Sequence, residues 1–123
     1  RPLEWRWLRE PRLQLPDGAR LELRADPHGA LARRRLPERV LVAFRGADGS
    51  VAGQAGGRRL KRLLQSRSLP PWQRAAVPLL YADRQLLAVG ELWQAPQLRA
   101  GAATGRAARC RLHWHGAAAA AII

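Results

Sequence analysis

Arg58, Arg59, Lys61 and Arg62 crowd into five consecutive positions, with Arg45 before them and Arg67 and Arg74 after. No Asp or Glu occurs between Gly49 and Ala82 to neutralise this run. Cations held at close spacing without competing carboxylates suit phosphate oxygens, so the pattern points to nucleic-acid binding rather than bond-making chemistry. A helix face that is only solvated usually interleaves Glu for pairing one turn apart. None is present here. Acids are missing again after Glu91, where Arg99, Arg106, Arg109 and Arg111 lie. Trp72, two residues before Arg74, reads either as a platform for an unpaired base or as a core plug. Its place directly after Pro70-Pro71 favours the core.

Other chemistries fit less well. Cys110, His113 and His115 are close in sequence, but on a strand Cys110 points away from the two histidines. Two histidines on one face are too few ligands for structural zinc, so no metal site is expected. Gly46-Ala47-Asp48-Gly49 matches the bare GxxG of KH domains, yet it follows a strand and contains an acid. Walker A, dinucleotide and nucleophile-elbow patterns are absent, and the scattered carboxylates offer no acid–base pair. No catalytic residue is assigned.

Composition agrees with a polyanion partner. The 123 residues carry 22 basic against 9 acidic side chains, a formal charge of +13, and all the basic residues but Lys61 are Arg. Such a field recruits polyanions, of which nucleic acid is the commonest in a cell. The apolar fraction of 47% allows a packed core. The single cysteine, Cys110, excludes an internal disulfide framework and suits a reducing cytoplasm. The apolar tail from Ala117 to Ile123 is far shorter than the roughly twenty residues of a membrane span, so no membrane partner is expected. A chain that starts at Arg1 and lacks Met reads as a fragment of a longer protein.

Elements that would position these residues follow from periodicity. Arg12 to Leu15 alternates, Pro16-Asp17-Gly18 turns, and Leu21 with Leu23 resumes the period of two. Asp26-Pro27-His28-Gly29 marks a second turn, and Arg39 to Arg45 a strand with Val40, Val42 and Phe44 on one face. Gly46 to Gly57 reads as a loop. Leu60, Leu63 and Leu64 then form a helical stripe over Arg58 to Ser66, with Arg58, Lys61, Arg62 and Gln65 on the opposite side. Pro71 opens a second short helix, Trp72 to Ala76, which Pro78 stops. Strands Val77 to Tyr81 and Gln85 to Trp93 flank Ala82-Asp83-Arg84. Ala100 to Ala108 reads as a loop and Arg109 to His115 as a closing strand. Trp93 is expected in the core, whereas Trp5 and Trp7 share one side of an extended segment suited to docking a neighbouring domain. Strands, a helical pair and strands again make an α+β domain. The expected division is a β-rich flank at 1–35, a binding domain at 36–116 and a low-complexity tail at 117–123.

From Val42 onward the chain resembles the carboxy-terminal domain of bacterial tRNA(Ile)-lysidine synthetases. Val42-Ala43-Phe44-Arg45 is similar to the family's V-R-F-R strand, and Leu60-Lys61-Arg62-Leu63-Leu64-Gln65 to its L-K-K-L-F-Q helix. Leu69-Pro70-Pro71-Trp72, Arg74 and Pro78-Leu79-Leu80 match its I-P-P-W-x-R…P-L-L segment, and Leu87-Ala88-Val89 with Leu92-Trp93 its closing A-V-x-G-L-W. Departures fall at Ala43, Leu64 and Gly90-Glu91. The resemblance implies a small mixed β barrel or sandwich with a helical hairpin insertion, similar to a domain of the phenylalanyl-tRNA synthetase β subunit. It implies the tRNA-gripping part of an ATP-dependent ligase that converts the wobble cytidine of tRNA(Ile) with a CAU anticodon to lysidine, held near the acceptor stem. ATP with Mg and lysine would belong to an amino-terminal catalytic domain, whose S-G-G-x-D-S motif these residues lack. The same resemblance carries tRNA contact onto Arg45, Arg58, Arg59, Lys61, Arg62, Gln65 and Arg74, with Trp72 beside them, and leaves a homodimer open. The alternative is a stand-alone basic module that binds RNA or protein without specificity.

Overall fold

The computed structural model describes residues 2–44 and 76–116. These form nine strands: β1 (Leu3–Trp5), β2 (Arg12–Gln14), β3 (Arg20–Ala25), β4 (Leu31–Ala32), β5 (Val40–Ala43), β6 (Leu79–Ala82), β7 (Gln85–Val89), β8 (Trp93–Gln94) and β9 (Arg109–His115). They build a five-stranded sheet in the order β1-β5-β6-β7-β8 and a four-stranded sheet in the order β2-β3-β9-β4. Every described pair is antiparallel, so the sheets are not mixed as the family resemblance implied. The regular helices among the described residues are short 3-10 turns, at Arg33–Arg35, Pro96–Leu98 and Arg106–Ala108. The expected helix at 58–66, and that at 72–76 apart from its last residue, lie outside the described residues.

Period-two alternation sets the inward faces. Leu21 and Leu23 of β3 with Cys110, Leu112 and Trp114 of β9 point into the same hydrophobic cluster as Val40 and Val42 of β5 and Leu79 of β6. Residues that alternate this way bury one sheet face and leave the other for solvent. Strand pairing runs across residues 35 and 36, because β1 pairs with β5 and β3 with β9. The β6–β7 hairpin turns through Asp83 (φ 49°) and Arg84 (φ 64°), the left-handed pair that two-residue hairpins need.

Three expectations need correction. Trp5 and Trp7 are each only 1% exposed, so neither is available to a neighbouring domain. Their indoles pack 5.7 Å apart, and Trp5 Nε1 donates to Glu10 O and Trp7 Nε1 to Pro37 O, both at 2.7 Å. A buried indole whose N–H finds a carbonyl is a core anchor. The stretch Gln85 to Trp93 is two strands: Gly90 adopts φ +49° and reverses the chain between β7 and β8. Trp93 consequently sits at the edge of the core, half-buried rather than enclosed.

Candidate nucleic-acid interface

Arg45, Arg58, Arg59, Lys61, Arg62, Gln65, Trp72 and Arg74 all lie outside the described residues. The second acid-free stretch is described, and it corrects part of the charge reading. Arg111 places Nε 3.0 Å from Asp26 Oδ2 and donates from Nη2 to His28 O at 3.3 Å. Arg109 donates to Thr104 O, Gly29 O and Gly101 O, which makes it a strut between β9 and two loops. Arg99 donates twice to Gln94 O. Absence of acids in the local sequence did not leave these side chains free, because their partners come from other strands and from backbone carbonyls.

The outer face of the four-stranded sheet gathers cations that adjacent positions in sequence do not reveal. Register places Arg20 opposite His115, Glu22 opposite His113 and Arg24 opposite Arg111, while Arg12 of β2 stands opposite Glu22. Directly opposed residues share a face, so these side chains form three rows across the sheet. Glu22 is the carboxylate beneath them, its side chain only 8% exposed. Arg12 donates from Nε to its Oε2 at 3.2 Å. Arg24 Nε lies 3.0 Å and His115 Nε2 3.5 Å from Oε1, contacts that are close in distance but not aligned as hydrogen bonds. His113 and His115 stack with ring centroids 5.6 Å apart. At the open edge of β9, Glu91 Oε2 accepts the Trp114 backbone N–H at 2.9 Å.

Electrostatics follow from that packing. Burial pushes the Glu22 carboxyl upward, but the Arg12 hydrogen bond, the close Arg24 contact and the two guanidinium charges together outweigh it and hold the group below its ordinary value. Asp26 is also lowered, first by the His28 backbone N–H and, against some burial, by Arg111. Burial and then the Arg24 charge depress His113. Burial raises the Cys110 thiol despite the opposing charge of Arg33, so this enclosed cysteine is a core residue and not a nucleophile.

Stability depends on pH through Glu22, Asp26 and His113, the first two dominating in acid. The folded-state values of the two carboxylates lie below the unfolded ones, so their contribution to stability is complete above the ordinary 4.5 of Glu22 and 3.8 of Asp26. It is lost as pH falls through the lower folded values. Urea midpoints should fall gently from about pH 7 to 5, because the depressed His113 protonates more readily in the unfolded chain, and fall further below about pH 4. Glu22→Gln should flatten only the lower fall. Equal acid sensitivity in both proteins would contradict the role of Glu22.

Arg33-Arg34-Arg35 forms a second exposed group on the 3-10 turn after β4, and none of the three makes an ion pair among the described residues. Neither group was singled out in the sequence. The triple Arg was visible there, and the sheet face was signalled by charged residues at alternate positions of β3 and by Arg109 and Arg111 of β9. A groove of about 370 Å³ on the other sheet is lined by Glu4, Glu38 and Asp83 beside Arg39. Three carboxylates make it unsuited to an anion. Among the described residues, no group of three His, Cys, Asp or Glu is placed to hold a metal, and no helix is long and apolar enough to cross a membrane.

The described residues thus form a β-rich domain with a surplus of exposed arginine. Residues 40–114 match the family described as the TilS substrate C-terminal domain, and the chain belongs to that family. It is 37% identical over 119 residues to a tRNA(Ile)-lysidine synthase of Xanthomonas campestris pv. campestris strain 8004, covering 95% of this chain and 26% of that protein. It is 37% identical over 92 residues to one of Xylella fastidiosa strain Temecula1, covering 73% of this chain and 21% of the relative. With one of Serratia proteamaculans strain 568 the identity is 33% over 104 residues, 79% of this chain and 24% of the relative. The chain spans about a quarter of the length of these relatives.

Proposed function

We propose that this chain is the tRNA-gripping domain of an ATP-dependent tRNA(Ile)-lysidine synthase. In this reading it holds tRNA(Ile) with a CAU anticodon near the acceptor stem. An amino-terminal catalytic domain, using ATP with Mg and lysine, then converts the wobble cytidine to lysidine in the cytoplasm. The observation that carries the reading is the family match over residues 40–114 on a chain of net charge +13. Arg45, Arg58, Arg59, Lys61, Arg62 and Arg74 are assigned to phosphate contact, and Gln65 and Trp72 to the same surface.

Gel-shift competition between isoleucine and methionine tRNAs tests it. The isoleucine tRNA should bind more tightly, and if about four side chains neutralise phosphates, affinity should fall roughly a hundredfold between 50 and 200 mM salt. Equal affinity for the two tRNAs would remove the discriminating role. A flat salt response would remove phosphate gripping altogether and leave an interaction module.

A further inference from the structure

The outer face of the β2-β3-β9-β4 sheet is built as well as charged. Arg12 is 72% and Arg24 50% exposed, yet each places its Nε at the nearly buried Glu22 carboxylate. A guanidinium carries five N–H donors in a fixed fork. Among the described residues no Nη atom of Arg12 or Arg24 is bonded, and Arg111 uses Nε on Asp26 and Nη2 on His28 O. Fixing Nε from below while the fork stays free is the arrangement that meets a phosphate with two parallel bonds. Arg20, one step along β3 from Glu22 on the same face, makes no ion pair among the described residues.

We propose that this face is an RNA-binding surface made of residues other than 45–74, on which Arg12, Arg20 and Arg24 take phosphates of the sugar–phosphate backbone and Glu22 is the positioning residue beneath them. The inference rests on the reading that the domain binds tRNA. Charge on the face favours it: Arg12, Arg20, Arg24 and Arg111 stand against Glu22, Asp26 and the neighbouring Glu91, and the carboxylate nearest the centre is covered. Backbone rather than base contact is indicated because the outward residues of β2, β3 and β9 include no Trp, Tyr or Phe, and the two rings present, His113 and His115, already stack on each other. Base readout without sequence pairing relies on such rings. Arg20 and Arg24 are four residues apart on one strand, about 13–14 Å, so the cations span more than one phosphate.

The test is a salt titration of tRNA binding by the full chain and by Arg12→Gln/Arg20→Gln/Arg24→Gln. Losing three phosphate contacts should lower the slope of log affinity on log salt by about 2.7, a loss of roughly a hundredfold at 0.15 M salt that disappears near 1 M. Glu22→Ala separates positioning from plain charge. It makes the chain more positive by one, so electrostatics alone gives tighter binding, whereas loss of positioning gives binding several-fold weaker. Protection of Arg12, Arg20 and Arg24 in the unaltered chain from a dicarbonyl reagent by bound tRNA supplies a readout independent of variant folding. If the unaltered chain fails to bind tRNA, the proposed function falls. If it binds while the triple variant keeps both affinity and slope, or tRNA leaves the three arginines unprotected, only the sheet-face assignment falls. Polyglutamate competing as well as tRNA would overturn it in favour of an acidic protein partner.

Discussion

Trp7→Ala is expected to destabilise the domain by about 3–5 kcal/mol, the range for removing a buried aromatic side chain. Total stability of domains this size is about 5–15 kcal/mol, so the variant should be partly unfolded or close to it. Two losses combine at this position. The indole fills core space beside Trp5, and its Nε1 supplies the hydrogen bond to Pro37 O that ties the turn after β1 to the segment entering β5. Trp7→Phe separates them: most of the apolar volume remains, but the Pro37 carbonyl loses its donor, at a cost of about 1–3 kcal/mol. Urea unfolding followed by far-UV circular dichroism measures both. A change below about 1 kcal/mol for Trp7→Ala would mean that the first strand is not an integral part of the core.

The contrast between Trp7 and β9 shows what sequence could reveal. Arg109 to His115 was legible to its ends because polar and apolar residues alternate without interruption between a Gly/Ala-rich loop and Gly116. The β2–β3 turn and the Asp83-Arg84 hairpin were legible for the same local reason, since their partners are neighbours in sequence. β1 was not. It is three residues long and its partner β5 lies more than thirty residues away, so nothing local marks Trp5 as buried. Gly90 hides a chain reversal inside an apolar run, because only its positive φ distinguishes it from a strand glycine.

The candidate surface divides the same way. That charged residues alternate with leucine along β3 could be read from the chain. That Arg12, Arg24 and His115 converge on Glu22 could not, since it depends on register among β2, β3 and β9. The charge run at 58–62 is legible as composition, and its geometry lies outside the described residues.

Replacing Arg58, Arg59, Lys61 and Arg62 together with glutamine is expected to produce the largest change in tRNA affinity. Each phosphate neutralised contributes a slope of about −0.9, so four contribute about −3.6 in log affinity per log salt. Between 1 M and 0.15 M salt that amounts to roughly three orders of magnitude, so the variant should lose about a thousandfold at 0.15 M and almost nothing at 1 M. A uniform loss at every salt concentration would instead indicate damaged folding. Combining this variant with the sheet-face triple discriminates further. If both surfaces touch one tRNA at the same time, the two losses should multiply, because distant and independent sites add in free energy. If each surface binds a different tRNA molecule, the losses should not multiply, because the quadruple variant keeps the sheet face's own affinity until the triple substitution removes it.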